Sequence, residues 1–385
     1  MSTKKRIALC LALALVLAAV FAVSVEALDG DTDFETLPEE YGSFLDALPD
    51  GVLDKLPQSS LNDDRASLVS AAGEMASVSY LLGVLFESFG GAVTELLPTL
   101  AILMGIVILS SISHAFASNF AGGLSAAVGF ACRLCSFCSI AAISVGALSR
   151  LSEYFDSLLG AVAAFVPLSG VLYAMGGNLT GAASGAITLS ATLAVCQFFF
   201  SETVIPVFCT CLSLSLISVF EGIGASGSVA ATVKKWYTTA LAFIMMILTA
   251  SIAAQGILAA KADGAAMRGM KFAASSFIPV SGGAVSSTLG TLAASVELIR
   301  GSFGVVGVVI ILLMLIPVIV ELAAMRGILA LTSFTAGLLG CSGEKRLLDE
   351  IGSLYGYLEG IAAISAAVFI IAMAVFASTA AAVSG

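Results

Sequence analysis

The chain has 385 residues, of which 59% are hydrophobic and 11% are charged, with a mean hydropathy of +1.07. A soluble domain carries about 25% charged residues, because polar side chains must cover its surface, so this composition excludes a soluble globule. The net charge of −10 is concentrated between Leu28 and Ser70, and the rest of the chain offers no basic surface for nucleic acid. The composition therefore predicts an all-α polytopic integral membrane protein whose apolar surface contacts lipid.

Residues 1–27 have the pattern of a secretory signal peptide. Lys4-Lys5-Arg6 forms a basic start, Ile7 to Val23 is an apolar stretch, and Val25-Glu26-Ala27 offers a small residue at both positions that signal peptidase reads. An uncleaved signal anchor is the alternative. Both interpretations place Leu28 and the residues after it outside the cytoplasm.

Residues 28–65 are predicted to form a short acidic extracytoplasmic segment. Pro38, Pro49 and Pro57 interrupt it, and the spacing of its Leu and Phe residues indicates two short helical turns. Its apolar content is too small for a hydrophobic core of its own. We therefore expect the segment to dock on a partner or on the membrane domain of the same chain.

Residues 66–93 are predicted to form an amphipathic helix. Apolar side chains recur at helical spacing along this stretch, and Glu74 and Glu87 lie off the apolar face. Such a helix lies at the membrane surface or against the helical bundle. Residues 94–385 are then predicted to form a multi-spanning membrane domain.

The chain is predicted to contain about seven to nine hydrophobic segments. Four stretches are each long enough to cross about 30 Å of hydrocarbon. They lie at about 95–118, opened by Pro98, and at about 124–148, 237–260 and 357–381. Two longer blocks, 157–221 and 272–340, each hold two or three passages, depending on whether some segments re-enter the membrane instead of crossing it.

Two parts of the membrane domain resemble each other. The stretch Phe165-Val166-Pro167-Leu168-Ser169-Gly170 aligns with Phe277-Ile278-Pro279-Val280-Ser281-Gly282, and Val204 to Val207 aligns with Leu315 to Val318. The similarity predicts duplicated units of broken helices at 124–221 and 236–333. Chance similarity within a narrow composition is the alternative.

Proline and glycine inside apolar segments free backbone groups, which a neighbouring helix or a water-filled cavity must then satisfy. A pathway or a re-entrant hairpin is therefore expected at these breaks. The candidate pathway or helix-break positions are Pro167, Ser169, Gly170, Pro206, Pro279, Ser281, Gly282 and Pro317.

Ionisable residues within the apolar segments are a second group of candidates, because a charge in hydrocarbon costs about 3 kcal/mol and usually faces a bundle interior or a lumen. Arg133 is the most deeply placed in its predicted span, and Glu202 is the other pathway candidate. The alternative is that such groups end helices or snorkel to the interface. The wider set contains Glu221, Glu297, Arg300 and Glu321.

The chain shows no enzyme signature. Cys132, Cys135 and Cys138 form a C-x-x-C-x-x-C run, but their apolar surroundings favour helix packing over a metal or iron–sulfur site. His114 stands alone, and no Walker loop, nucleophile elbow, H-E-x-x-H or dinucleotide fingerprint occurs. We therefore expect no catalytic residue, no cofactor and no metal.

In the order of these features the chain resembles the stage III sporulation protein AE family of endospore-forming Firmicutes. The likeness covers the signal peptide, the Phe44-Leu45…Leu48-Pro49 element and the hydrophobic C-terminal two-thirds. Ser281 departs from the Val or Gly expected there, and this copy is rich in Ala and Cys. The most specific stretches are Gln255-Gly256 through Asp263, then Arg268, Lys271-Phe272, Phe277 to Gly282, Gly304 to Gly307 and Pro317.

The resemblance implies a polytopic component of the channel that joins the mother cell to the engulfed forespore, needed for late forespore development. Its partners would be the other stage III sporulation proteins of that complex, including an ATPase similar to secretion ATPases and ring-forming proteins. The chain would lie in the mother-cell (outer forespore) membrane, with the acidic segment in the intermembrane space. The alternatives are a stand-alone secondary transporter of a small solute, built on the repeat, and a passive scaffold.

Overall fold

The computed structural model describes residues 38–57, 65–75, 77–117, 123–175, 179–217, 229, 232–252, 254 and 282–384. The predicted signal peptide, the acidic residues before Pro38 and the motif from Phe277 to Ser281 lie outside the described residues. Every regular element that is described is a helix.

Three short helices precede the long ones. They are α1 (Glu40–Asp46), α2 (Asp50–Leu53) and α3 (Arg65–Met75). The long helices are α4 (Val78–Ala117), α5 (Gly123–Met175), α6 (Leu179–Gln197), α7 (Val204–Ile217), α8 (Thr232–Ile252), α9 (Gly282–Leu338) and α10 (Ser342–Ser384), with a π-helical turn, Phe198–Thr203, between α6 and α7.

Within the described part of the chain, six helical stretches are long and apolar enough to cross a membrane. This finding confirms the predicted all-α polytopic membrane protein. The stretches are Ser79–Ser113, Phe130–Met175, Ala183–Ser215, Thr232–Ile252, Gly301–Leu338 and Ser342–Phe376.

Helix α9 is the centre of the bundle. Protein buries 78% of the most apolar stretch of this helix, compared with 17–50% of the corresponding stretch in each of the other five candidate spans. The side chains from Val305 to Leu315 are almost all buried, although side chains of this kind would be equally stable in lipid. Helices α9 and α10 pack closely at Gly307, because this residue has no side chain. A Cβ at that position would lie 2.9 Å from the sulfur of Met373 in α10.

The acidic segment docks on its own membrane domain, which is one of the two predicted alternatives. The described part, Pro38–Pro57, is called the N-segment below. Its apolar side chains are buried in the main core, where the ring of Tyr41 lies 5.1 Å from that of Phe303 in α9 and the ring of Phe44 lies 6.1 Å from that of Phe165 in α5. This end of the bundle is called the docking end.

The opposite end of the bundle contains the tight connection between α9 and α10 and is called the turn end. The backbone of Gly340 adopts the left-handed conformation there, with φ of +76°, and residues with a side chain rarely adopt this conformation. Near the end of α4, Ser110 donates a hydrogen bond to Glu344 in the first turn of α10. Helix α4 therefore runs from the docking end to the turn end, and α10 returns to place Phe376 beside Phe165.

Several predicted boundaries differ from the observed helices. The predicted amphipathic helix 66–93 is divided, because α3 ends at Met75 and α4 continues without interruption through Pro98. The stretch between the predicted spans 124–148 and 157–221 is helical, since α5 is one helix of 53 residues.

The expected helix breaks at Pro167 and Pro317 are not present, because both prolines lie inside continuous helices. A proline removes only one backbone hydrogen bond, and neighbouring helices in a membrane can compensate for that loss. Gly170 lies inside α5, and Gly282, with which it aligns, is the first described residue of α9. Where the repeat is described, its two copies do not share helix boundaries.

The docking of the N-segment can be tested with Phe44→Ala. The Phe44 side chain is fully buried against Phe165, so its removal is expected to weaken docking by about 3 kcal/mol. Trypsin should then cleave after Lys55 faster than in the unchanged protein in detergent. The exposed neighbour Ser43 provides the control, and equal cleavage rates for Phe44→Ala and Ser43→Ala would contradict the docked arrangement.

Candidate functional site: a charged layer inside the helical bundle

Arg150 joins three long helices through two ion pairs. From α5, its guanidinium reaches Glu95 Oε1 of α4 at 2.7 Å and Glu321 Oε1 of α9 at 2.6 Å. The Glu321 side chain is 14% exposed and that of Glu95 is 58% exposed. The group carries one net negative charge, and Glu321 is the more deeply placed of its two carboxylates.

The three residues lie near the middle of their candidate spans, sixteen to twenty-five residues from either end. A charged side chain at such a position is costly unless it is paired, so ionisable groups inside membrane helices usually mark functional sites. Because Arg150 bonds two carboxylates at once, it also fixes the positions of α4, α5 and α9 relative to one another along the bundle axis.

A second ion pair lies at about the same height. Arg326 of α9 donates a hydrogen bond to Glu359 Oε2 of α10 at 2.8 Å. Gly356 permits this contact, since a Cβ at that position would lie 3.3 Å from the guanidinium carbon of Arg326. The other carboxylate oxygen of Glu359 is buried and accepts no hydrogen bond from the described residues.

Two further polar contacts, from α8 and from α5 to α10, lie near this height. Lys234 of α8 donates a hydrogen bond to the hydroxyl of Ser353 in α10 at 2.6 Å. Ser144 of α5 and Tyr355 of α10 share a hydrogen bond of 2.8 Å. We use the name charged layer for Glu95, Arg150, Glu321, Arg326 and Glu359, which together cross the bundle at mid-length.

A second polar cluster lies at the turn end, and it contains the predicted candidate Arg133. The guanidinium of Arg133 lies so close to the backbone of Gly343 that a Cβ there would be 2.8 Å from a guanidinium nitrogen. Glu344 is 1% exposed and accepts the 2.6 Å hydrogen bond from Ser110. Burial and the nearby Glu344 raise the pKa of the Cys341 thiol, which is therefore a poor nucleophile.

The predicted candidate Ser169 lines a cavity of about 60 Å³ near the docking end. Its hydroxyl donates to the carbonyl of Val166 at 2.7 Å, one turn from Pro167. The cavity lies between α5, α6, α8 and α10, and its walls include Phe165, Tyr173, Thr188 and Phe376. Whether these positions line a pathway stays a prediction.

The other predicted positions are dispersed. Glu202 is exposed within the π-helical turn, where Tyr237 of α8 donates to the carbonyl of Phe199 at 2.9 Å, and Pro206 is exposed one turn later. Pro279, Ser281 and Glu221 lie outside the described residues, and Gly282 begins α9. Whether the two Pro-Ser-Gly motifs lie close together therefore stays a prediction.

The sequence analysis did not select Arg150, Glu95 or Glu359. Arg150 falls between the predicted span 124–148 and the block 157–221, and Glu95 falls at the predicted start of a span, so neither was counted among the membrane charges. The signal was present, since apolar sequence of helical length lies on both sides of Arg150. Only the contact between helices shows that these charges meet.

The cysteine run does not gather into one site. Cys132 is buried, whereas Cys135 and Cys138 are exposed on α5. Among the described residues, no group of three or more His, Cys, Asp or Glu side chains is placed to hold a metal ion.

Comparison with known proteins identifies the family. The family model described as stage III sporulation protein AE matches residues 65–380, which include all six candidate spans and the whole charged layer. The chain belongs to the stage III sporulation protein AE family. Members of this family are sporulation proteins, and this one is an integral membrane protein with several apolar helices.

One curated relative is the stage III sporulation protein AE of Bacillus subtilis (strain 168), which is 23% identical over 229 residues. The aligned part covers 60% of this chain and 57% of that protein, so the chain spans little more than half the length of the curated relative that it matches. No solved structure matches the chain.

The two carboxylates that contact Arg150 are expected to contribute unequally to stability. Glu321→Ala removes a charge-assisted hydrogen bond that is shielded from solvent, at an expected cost of about 2–3 kcal/mol. Glu95→Ala removes an exposed pair, at an expected cost of at most about 1 kcal/mol. Free energies of unfolding measured in detergent for both variants test this order, and a larger loss for Glu95→Ala would contradict it.

Proposed function

We propose that this protein is the polytopic component of the channel complex that connects the mother cell with the forespore, and that it is needed for late forespore development. The observation that carries the proposal is the match to the stage III sporulation protein AE family across all six candidate spans. On this proposal the helical bundle is a permease-like or export-gate-like subunit. Its partners are the other stage III sporulation proteins of the complex, including its ATPase and its ring-forming components.

The charge distribution supports an orientation for this role. Basic residues near the turn end favour a cytoplasmic location for that end, because short cytoplasmic loops carry an excess of Lys and Arg. The acidic N-segment lies at the opposite end and would face the intermembrane space when the protein is in the mother-cell (outer forespore) membrane. The basic residues near the turn end are Arg133, Lys345 and Arg346.

The geometry favours this function over a stand-alone secondary transporter. Transporters of that kind form their substrate sites from discontinuous helices. The transporter alternative was built on the repeat, and at Pro167 and Pro317, two of its predicted break positions, the helices are continuous. The charged layer instead links four helices, α4, α5, α9 and α10, as is suitable for a rigid subunit of a larger assembly.

Deletion of the gene in the organism that encodes this chain tests the function. We expect engulfment to be completed, late forespore reporters to stay silent and heat-resistant spores to be lost. Complementation with the unchanged gene should restore the spores and is the control. Normal numbers of heat-resistant spores from the deletion strain would refute the proposed role.

The orientation can be tested by labelling single cysteines in a cysteine-free background. Ser43 in the N-segment and Arg346 at the turn end are both exposed, so Ser43→Cys and Arg346→Cys should each react with a maleimide that reaches them. A membrane-impermeant maleimide added to intact cells before engulfment, when the N-segment would still face the medium, should label Ser43→Cys only. Labelling of both variants before permeabilisation, or of Arg346→Cys alone, would contradict the proposed orientation.

A further inference from the structure

A second cavity, of about 200 Å³, lies between α9 and α10, on the side of the charged layer that faces the turn end. It has more than three times the volume of the cavity beside Ser169, and a site for one water molecule needs only about 15 Å³. It is called the side cavity below, and it therefore has room for a ligand larger than water. Its lining residues are Arg326, Ala330, Leu348, Asp349, Gly352 and Ser353.

Arg326 faces the side cavity with hydrogen-bond donors that it does not use. A guanidinium has five N–H groups, and among the described residues Arg326 donates one hydrogen bond, to Glu359 Oε2 at 2.8 Å. About a third of its side chain is exposed, so the other N–H groups are accessible from the cavity. Glu359 thus fixes a guanidinium whose remaining donors suit the oxygens of a phosphate or a carboxylate.

Lys234 supplies a second cation from α8. Its ammonium donates to the hydroxyl of Ser353 at 2.6 Å, and Ser353 lines the side cavity, so the ammonium lies at the edge of the cavity. The Ser353 hydroxyl donates in turn to the carbonyl of Glu350 at 2.7 Å. The hydroxyl therefore holds the ammonium in place, and the ammonium keeps two N–H groups for a ligand.

The carboxylate that lines the side cavity is already engaged. Asp349 accepts a hydrogen bond from Ser333 on one oxygen and from Lys345 on the other, the latter at 2.7 Å. Four basic and three acidic residues surround the cavity, which leaves one net positive charge. An anion is therefore a better ligand than a cation. The basic residues are Lys234, Lys235, Arg326 and Lys345, and the acidic ones are Asp349, Glu350 and Glu359.

The rest of the wall is apolar. Leu348 is 1% exposed, and a Cβ built on Gly352 would lie 3.8 Å from the Cβ of Leu329. Apolar walls lower the local dielectric, so an anion held there interacts more strongly with Arg326 and Lys234 than it would in open water. A phosphate group has enough oxygens to accept hydrogen bonds from both cations at once.

We propose that the side cavity binds a phosphate group, with Arg326 and Lys234 as its two cationic ligands. An anionic phospholipid head group and a free phosphate share this chemistry. Lys235 and Trp236, both exposed beside Lys234, are typical of a membrane–water interface, and basic pockets between membrane helices bind anionic head groups. The site does not rest on the proposed function, because binding is measured on the purified protein and not through spores.

Thermal unfolding of the purified full chain in an uncharged detergent tests the site. A ligand that binds only the folded protein raises Tm. Short-chain phosphatidylglycerol is compared with phosphatidylcholine of the same chain length, and inorganic phosphate with sodium chloride at equal ionic strength. We expect phosphatidylglycerol to raise Tm and phosphatidylcholine and chloride to leave it unchanged.

Inorganic phosphate distinguishes the two sources. A rise in Tm with phosphatidylglycerol alone assigns the site to a lipid head group, and a rise with inorganic phosphate as well assigns it to phosphate in general. Equal rises with phosphatidylglycerol and phosphatidylcholine, or no rise with either phosphatidylglycerol or inorganic phosphate, would overturn the proposal.

Two single variants test whether binding occurs in the side cavity. Lys234→Gln removes a cationic ligand, and Gly352→Leu fills the cavity without changing its charge. Each should weaken binding at least about tenfold in a titration of Tm. The matched controls are Arg346→Gln, an exposed base near the same end, and Gly360→Leu, an open glycine of the same helix, and both should keep the affinity. Unchanged affinity in Lys234→Gln and Gly352→Leu would refute the site.

The role of Arg326 is tested together with its partner. Arg326→Gln alone would leave Glu359 buried without its cation, so it is combined with Glu359→Gln. The double variant should unfold cooperatively without ligand and show no rise in Tm with phosphatidylglycerol. A rise equal to that of the unchanged protein would exclude Arg326 as a ligand and overturn the proposal.

Discussion

The two ion pairs of Arg150 set the relative heights of the helices on which the rest of the structure depends. Apolar helices in lipid have no hydrophobic reason to prefer one vertical position over another, since lipid solvates their side chains as well as protein does. A guanidinium that bonds carboxylates on α4 and α9 at once removes that freedom, because sliding any one of the three helices would leave a charge unpaired.

The N-segment and the turn end complete the arrangement. At the docking end, rings from a short acidic segment enter the same core as the long helices, so the apolar side chains of this segment are already used within the chain. At the turn end, the buried Glu344 and Ser110 hold α4 against the start of α10. A subunit built in this way carries its acidic segment at one end of the bundle and a tight helical turn with a buried carboxylate at the other.

Some features of the site could be found from the sequence and others could not. Ser169 and Arg133 were selected as a break position and as a membrane charge; Ser169 lines a small cavity, and Arg133 lies in the polar cluster at the turn end. Pro167 and Pro317 were selected as breaks because proline removes a backbone donor, but a long helix can lose one hydrogen bond and continue. Arg150 was missed because a short charged stretch between apolar segments has the composition of a loop, and only a partner on another helix shows that it is a buried joint.

The sequence alone determined the class of protein. A chain with too few polar residues to cover its surface in water must be surrounded by lipid, and apolar stretches of this length in lipid must be helical. It also determined the family, since the match depends on the order of residues over most of the chain. The tertiary structure decided which helices are central and where the charges meet. These properties depend on contacts between residues more than fifty positions apart, such as those of Arg150 with Glu95 and Glu321. No local pattern in the chain indicates which distant partner a side chain will contact.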